Sequence, residues 1–252
     1  SKPLPHILAV TNMLLHGVDA PVGLIRKDSL ARPTNDIRDD ERVDVIVANP
    51  PFGGHQKDGT EKNFPRQFQT KETALLFVYL IMQMLKPGGR AGIVLPDGFL
   101  FGDGVAARLK EELLTKCRLD VIVRMPGGEF TPYAAPKVNL LFFTKGESTK
   151  EVWYYAMPLP SGVGKNGFTK TMPLRDEHMV ELRKWFGNRT ENENAWEVSI
   201  DDIRARNWSL DFKNPNSQVT EEHKTPKELL GEIEEKERQI LMLLENVVKE
   251  GI

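Results

Sequence analysis

Short apolar runs rich in β-branched residues alternate with longer amphipathic stretches over most of the first 160 residues. The amphipathic stretches predict helices at about 5–15, 71–86 and 104–116. The apolar runs predict strands at about 22–26, 43–48, 91–95, 119–124, 139–144 and 152–156. Such alternation is typical of an α/β fold with a doubly wound, mostly parallel sheet.

Two features of this pattern concern the edge of the sheet. Only 14 residues separate the strands predicted at 119–124 and 139–144, which leaves no room for a crossover helix. We therefore expect these two strands to form an antiparallel pair that closes the sheet edge. The strand at 152–156 is also expected on the edge.

The chain changes character at about residue 174, where polar segments begin to separate shorter elements. We predict an α/β domain over 1–172 and a mostly helical region over 173–252 that ends in a long helix at 226–249. Apolar residues follow a heptad-like spacing along that helix, at Leu230, Ile233, Ile240, Leu244 and Val247. This apolar stripe can pack on a partner or on the chain's own α/β domain.

The most informative motif is Asn49-Pro50-Pro51-Phe52, which directly follows the strand predicted at 43–48. Ligands of open α/β sheets bind at the carboxyl ends of the strands, so the motif lies where chemistry is expected. The two prolines hold the backbone extended and remove N–H donors. The Asn49 side-chain oxygen and the Pro50 carbonyl can then accept both hydrogens of one amino group, while Phe52 offers a stacking face.

This arrangement suits methyl transfer to an aromatic amine, because two acceptors favour the tetrahedral nitrogen that forms during the reaction. The alternative interpretation is a proline-rich turn without chemistry.

The motif resembles the catalytic motif of S-adenosylmethionine-dependent amino-group methyltransferases, chiefly those that act on adenine in DNA. Further segments resemble the modification subunit of type I restriction-modification systems, and the resemblance covers about residues 5–250. They are Lys86-Pro87-Gly88-Gly89-Arg90, which looks like a tight turn, Asp97-Gly98-Phe99-Leu100-Phe101, Gly127-Gly128-Glu129-Phe130-Thr131-Pro132-Tyr133, the run from Lys137 to Gly146 and Arg206-Asn207-Trp208-Ser209-Leu210-Asp211. The resemblance implies a class I, Rossmann-like methyltransferase sheet, S-adenosylmethionine as cofactor, DNA as substrate, and specificity and restriction subunits as partners.

The resemblance also implies roles for individual residues. Asn49, Pro50 and Phe52 are the expected catalytic residues, and Asp28 and Ser29, together with Asn49, are the expected cofactor contacts. The residues expected to contact the target base or DNA are Pro51, Phe68, Asp97, Tyr133, Lys137 and Asn139. Several alternatives stay open, since Asp28 and Ser29 can simply begin a loop, Asp97 can be a solvated acid, and Phe68 can be a lid or a core residue.

A family member normally opens its sheet with a strand and a glycine-rich loop that holds the methionine end of the cofactor. We find no such loop before Asn49, and the strand at 22–26 looks like the third of the usual order. We therefore expect a C-terminal part of a longer protein, inactive by itself. The competing hypotheses are a non-catalytic assembly module and a methyltransferase acting on RNA adenine or protein glutamine.

The charge, cysteine content and hydropathy of the chain limit the kinds of partner and ligand that we expect. The net charge of −2, with −4 in residues 221–252, is unusual for a protein that binds DNA unaided, so we expect other polypeptide to supply phosphate contacts. The single cysteine, Cys117, and the scattered histidines predict neither a disulfide framework nor a metal site. No apolar run is long enough to cross a membrane, which favours the cytoplasm.

The polar loop at 53–70 follows the motif and contains Lys57, Lys62 and Arg66. It can contact DNA or be an ordinary mobile loop. The sheet edge left without its first strands can also promote self-association.

Overall fold

A computed structural model describes residues 3–19, 23–52, 58–131, 136–164 and 167–216, together with 230–231, 236–238 and 240–241. The chain divides into two compact units, Ser1–Asn216 and Ser217–Ile252. In the second unit the described residues are helical, and the stripe residues Leu230 and Ile240 are exposed. Within the described residues, no helix has the length and apolar character needed to cross a membrane.

The first unit contains six strands and six α-helices among its described residues. The strands are β1 (Val43–Ala48), β2 (Leu85–Pro96), β3 (Cys117–Arg124), β4 (Val138–Lys145), β5 (Glu151–Ala156) and β6 (Ala195–Ser199). The helices are α1 (Pro3–Leu15), α2 (Thr73–Met84), α3 (Gly98–Phe101), α4 (Val105–Lys116), α5 (Val180–Gly187) and α6 (Ile200–Ala205).

The strands form a single sheet in the order β1-β2-β4-β3-β5-β6. Strands β1, β2, β3 and β5 all run in the same direction, whereas β4 and β6 run opposite to them. Strand β4 is inserted between β2 and β3 and pairs with both. The carboxyl ends of four strands and the amino end of β4 therefore meet at one edge of the sheet.

The sequence predicted most of these elements correctly. The strands at 43–48, 91–95, 119–124, 139–144 and 152–156 and all three predicted helices are present, with bounds shifted by a few residues. Residues 23–26 of the predicted first strand are not a strand, and among the described residues no strand pairs with the outer side of β1. The run 86–90 forms a bulge within β2, because Leu85 lies opposite Val43 and Arg90 lies opposite Val45.

The expected sheet edge was wrong. Strands β3 and β4 are antiparallel as predicted, but they lie inside the sheet because β5 pairs with β3 and β6 pairs with β5. Strand β6, which the sequence pattern did not reveal, occupies the edge predicted for 152–156. Strand β6 lies within the first compact unit, Ser1–Asn216.

The core lies on both faces of the sheet but does not cover β1 completely. A larger cluster packs α2 and α4 against β2, β3 and β4, and a smaller cluster includes Val121, Val123, Met125, Tyr155 and Trp185. On β1, Ile46 packs against the larger cluster, whereas Val45 is 54% exposed and Val47 is 86% exposed. Strand β1 is therefore covered on one face by the described residues.

Lys110 of α4 is buried in this core, with a relative exposure of 0%. Its Nζ donates to the carbonyl oxygens of Leu100 and Gly102, each at 2.9 Å, and so completes the end of α3. Desolvation lowers the pKa of Lys110 to about 8, against a weaker opposing effect of Asp103.

This burial predicts a pH dependence of stability. Between pH 8 and 10.5 the unfolded chain keeps a proton on Lys110 that the folded protein has released, so stability rises with pH. The wild type should therefore gain free energy of unfolding relative to Lys110→Met across this range, by at most about 3 kcal/mol. Denaturant titrations of both proteins measure the difference in free energy of unfolding. A difference that stays constant between pH 8 and 10.5 would contradict the lowered pKa of Lys110.

Candidate active site

The sheet topology collects several predicted site residues at the carboxyl edge. Asn49 follows β1, Asp97 follows β2, and Asn139 lies at the start of β4. Asn139 is in register with Leu95 on one side and with Arg124, the last residue of β3, on the other. The inserted antiparallel strand thus brings its first residues to the edge where β1 and β2 end.

The 49–52 turn is fixed by its second and fourth residues. Pro50 is buried, and Phe52 is partly buried against the smaller hydrophobic cluster. Asn49 and Pro51 are exposed. No described residue makes a hydrogen bond to the Asn49 side chain, so its amide oxygen is available to a ligand.

Phe52 packs against Phe130, which lies within the motif at 127–133 and was not among the predicted site residues. Their ring centroids are 5.1 Å apart and their planes are inclined by 75°, an edge-to-face arrangement. Both rings belong to the margin of the smaller hydrophobic cluster. Phe52 and Phe130 therefore form an aromatic wall beside Asn49. The phenylalanine in the sequence Gly127-Gly128-Glu129-Phe130 was the feature from which Phe130 could have been predicted as part of this wall.

The loop that carries Phe130 is held by a close crossing of two backbones. The Phe168 N–H donates to the Gly127 carbonyl at 2.9 Å. A Cβ atom on Gly128 would lie 2.1 Å from the Phe168 carbonyl oxygen, and one on Gly167 would lie 2.1 Å from that of Gly127. Both glycines also have positive φ, so only glycine permits this crossing.

Asp97, Lys137 and Asn139, all predicted from the sequence to contact the target base or DNA, form one polar cluster. The Asp97 N–H donates to the Lys137 carbonyl at 2.9 Å, and Asn139 Nδ2 donates to Asp97 Oδ1 at 3.0 Å. Asn139 is buried, with 1% exposure, whereas Lys137 is exposed and its side chain passes close to Gly127. Arg124, which was not among the predicted site residues, also contacts Asp97.

Asp28 and Ser29, the predicted cofactor contacts, both border a cavity. They line this cavity, of about 160 Å³, with Arg32, Ile37 and Glu41, and no residue of the 49–52 turn lines it. Asp28 Oδ1 accepts from the Leu30 N–H at 3.1 Å, which orients the carboxylate in a tight turn.

An ion pair shapes the wall of this cavity. Arg32 binds both carboxylate oxygens of Glu41, at 2.6 and 2.7 Å. The hydrogen bonds from Arg32 make the largest contribution to lowering the pKa of Glu41 to about 2, and the hydrogen bond from the Arg38 N–H makes the second largest. Glu41 therefore carries its charge at neutral pH.

Phe68, which the sequence leaves open as a lid or a core residue, lies in the larger hydrophobic cluster. It is 4% exposed and packs against Tyr79 with ring centroids 4.8 Å apart, so the structure decides between lid and core in favour of the core. Lys62 and Arg66 are exposed on short 3₁₀ turns, and the intervening Phe64 is buried. Tyr133 and Lys57 lie outside the described residues.

No group of three or more His, Cys, Asp or Glu side chains is arranged to hold a metal ion in the part of the chain that the structure describes.

The sheet has the class I, Rossmann-like fold of S-adenosylmethionine-dependent methyltransferases. The model of the N-6 DNA methylase family matches residues 1–224, so the chain belongs to that family.

Similar proteins include the EcoEI methylase subunit of a type I restriction enzyme from Escherichia coli, which is 50% identical over 95% of this chain and 49% of its own length. A solved structure of a type I R-M system contains a chain 38% identical, with a TM-score of 0.79 over 98% of this chain and 52% of that one. The type I EcoKI M protein is 26% identical, with a TM-score of 0.70 over 100% of this chain and 59% of its own. The chain thus spans about half the length of these relatives.

The glycine crossing predicts a sharp contrast between two alanine substitutions. Gly128→Ala should lower the free energy of unfolding by at least about 2 kcal/mol, because the new methyl group meets backbone and the backbone has a positive φ. Gly164→Ala is the matched control, since nothing lies within 4 Å of its Cβ position. Thermal and denaturant unfolding measure both, and equal stabilities would refute the crossing.

Proposed function

We propose that this chain is the target-binding part of an enzyme that transfers a methyl group to the N6 amine of adenine in DNA. The observation that carries the proposal is the 49–52 turn, whose Asn49 amide is exposed and free of described partners at the carboxyl edge of β1. The family membership and the 50% identity to a type I methylase subunit support the same reaction.

The proposed role of Asn49 and Pro50 is to hold the target amine. The Asn49 side-chain oxygen and the Pro50 carbonyl oxygen each accept one hydrogen of the adenine amino group. Positive charge develops on the nitrogen as it gains a methyl group, and the two acceptors stabilise that charge until a proton leaves to solvent. Because the acceptors are preorganised on a proline-stiffened backbone, no strong general base is required.

Phe52 supplies the stacking surface for the extruded base, in the manner of other enzymes that act on single bases. Its edge-to-face contact with Phe130 fixes the ring orientation. The cluster of Asp97, Lys137 and Asn139 borders the same edge, and the exposed Pro51 and Lys137 are suited to contact DNA.

S-adenosylmethionine, the expected cofactor, would supply an electrophilic methyl group. Asp28 fits its adenine amine chemically, since only one oxygen of its carboxylate is engaged by a described residue. Asp28 lines a cavity with Ser29, Arg32 and Glu41, and these residues are the proposed contacts for the adenosine end of the cofactor.

The proposed setting is a type I restriction-modification complex in the cytoplasm, with a specificity subunit and a restriction subunit as partners. The net charge of −2 supports a division of labour in which other polypeptide provides phosphate contacts. The exposed Leu230 and Ile240 of the terminal helix are available to a partner, and the exposed Val45 and Val47 of β1 can favour self-association of the isolated chain.

Two other functions are tested by the same experiments. An assembly module without catalysis would keep the fold without needing Asn49. A methyltransferase for RNA adenine or protein glutamine would use the same amine grip on a different substrate.

Asn49→Ala should abolish methyl transfer in the complete gene product assembled with its specificity subunit, because one of the two amine acceptors is lost. Cofactor affinity should stay within a few fold. Transfer of radiolabelled methyl groups to duplex DNA measures activity, and the exposed Asn188→Ala is the matched control that keeps full activity. Retained turnover by Asn49→Ala would refute the role, and labelling of RNA or protein alone would favour the alternative substrates.

The 252-residue chain alone should not bind S-adenosylmethionine with micromolar affinity, since its sequence holds no glycine-rich loop before Asn49 for the methionine end of the cofactor. Isothermal titration calorimetry measures this directly. A micromolar dissociation constant would contradict the prediction and place a complete cofactor site within these residues.

A further inference from the structure

Residues 206–212, here called the return segment, reverse direction after α6. Asn207 and Trp208 have positive φ values of 52° and 62°, a conformation that non-glycine residues rarely adopt. The Trp208 N–H donates to the Ile203 carbonyl at 3.0 Å, and the Leu210 N–H donates to the Leu100 carbonyl at 2.8 Å. The reversal brings the chain back to the carboxyl edge of the sheet, where Leu210 pairs with Leu100, three residues after Asp97.

The return segment is also fixed from the side of β5. The Tyr154 hydroxyl donates to the Leu210 carbonyl at 3.0 Å, and the Tyr154 ring stacks on Trp196 and contacts Phe212. Burial raises the pKa of Tyr154, which keeps this hydroxyl a donor. The return segment, which begins more than 80 residues after the end of β3, therefore has a defined position beside that strand.

Arg124 joins this segment to the site. Its Nη1 donates to the Phe212 carbonyl at 3.0 Å and forms an ion pair with Asp211 Oδ1 at 2.9 Å. Its Nη2 lies 3.4 Å from Asp97 Oδ1, the same oxygen that accepts from Asn139. One guanidinium therefore bridges two carboxylates from different parts of the chain.

We propose that Arg124 is a positioning residue for the target-base pocket, and that the return segment sets the pocket geometry through it. The inference rests on the proposed function. Arg124 does not reach the reacting atoms in this scheme. It holds the Asp97 carboxylate, which orients the buried Asn139 amide, and the Asp97 N–H fixes the start of β4 through the Lys137 carbonyl.

The geometry requires arginine rather than any cation. The planar guanidinium presents separate N–H groups to Asp97 and to Asp211, whereas a lysine ammonium is a compact charge that cannot span both. The side chain is only 24% exposed, so the interaction is less screened than one on the open surface.

Strand β3 supplies a matched control at its other end. Arg118 also bridges two carboxylates, Asp120 at 2.7 Å and Glu147 at 2.5 Å. It lies near the amino end of the strand, away from the carboxyl edge. Arg118→Lys and Arg124→Lys therefore make the same chemical change at opposite ends of one strand.

The kinetic test uses the complete gene product assembled with its specificity subunit. Arg124→Lys should lower kcat by about 10-fold to 100-fold per folded protein, while KM for S-adenosylmethionine stays within about threefold, because misplaced contacts act on the chemical step. Asp211→Asn should act in the same direction, and the double variant should be no worse than Arg124→Lys alone. Arg118→Lys should leave kcat unchanged. An unchanged kcat in Arg124→Lys, or multiplying losses in the double variant, would overturn the proposal.

A second measurement separates this inference from the proposed function. Hydrogen exchange on the 252-residue chain should be faster at the amides of Asp97 and Leu210 in Arg124→Lys and Asp211→Asn, and unchanged there in Arg118→Lys. If the wild-type complex methylates no adenine but exchange changes as expected, the proposed function fails and the coupling stands. Unchanged exchange at both amides overturns the coupling, whatever the activity.

Discussion

The insertion of β4 between β2 and β3 is the constraint on which the site depends. A strand running against its neighbours begins where they end, so its first residues lie at the edge that receives ligands. Were β4 parallel, Asn139 and Lys137 would lie at the opposite edge of the sheet. The backbone register therefore decides that Asp97 meets both of them, before any side-chain preference acts.

The carboxyl edge combines two kinds of support. The aromatic wall of Phe52 and Phe130 is held by apolar packing and by a glycine crossing that leaves no room for side chains. The polar cluster is held by hydrogen bonds to a buried amide and by a guanidinium. Apolar packing tolerates small shifts, whereas hydrogen bonds lose strength steeply with distance and angle. The direction of the polar groups is thus controlled more tightly than the position of the aromatic wall.

The sequence revealed the parts of this fold that local rules determine. The run 43–48 and the motif after it needed only β-branched residues and prolines to be recognised, and the helix at 104–116 needed only its period. Strand β6 could not be predicted, because its five residues form a strand only by pairing with β5, which lies far away in the chain. Arg124 could not be predicted for the same reason, since its partner Asp211 is a tertiary neighbour that no spacing indicates. Phe68 was ambiguous for a different reason. An aromatic residue in a polar loop can be a ligand contact or a core residue, and the sequence alone does not distinguish the two.

The return segment has a consequence for biosynthesis. Ribosomes release the chain from its amino end, so Asn49, Asp97 and Asn139 emerge long before residue 212. Until then, the Arg124 guanidinium lacks Asp211 and the Phe212 carbonyl, and the Leu100 carbonyl lacks the Leu210 N–H. Contacts that close such long loops form late. A nascent chain can therefore complete most of the sheet before the return segment is in place, which delays the proposed base-binding site until the C-terminal region has been made.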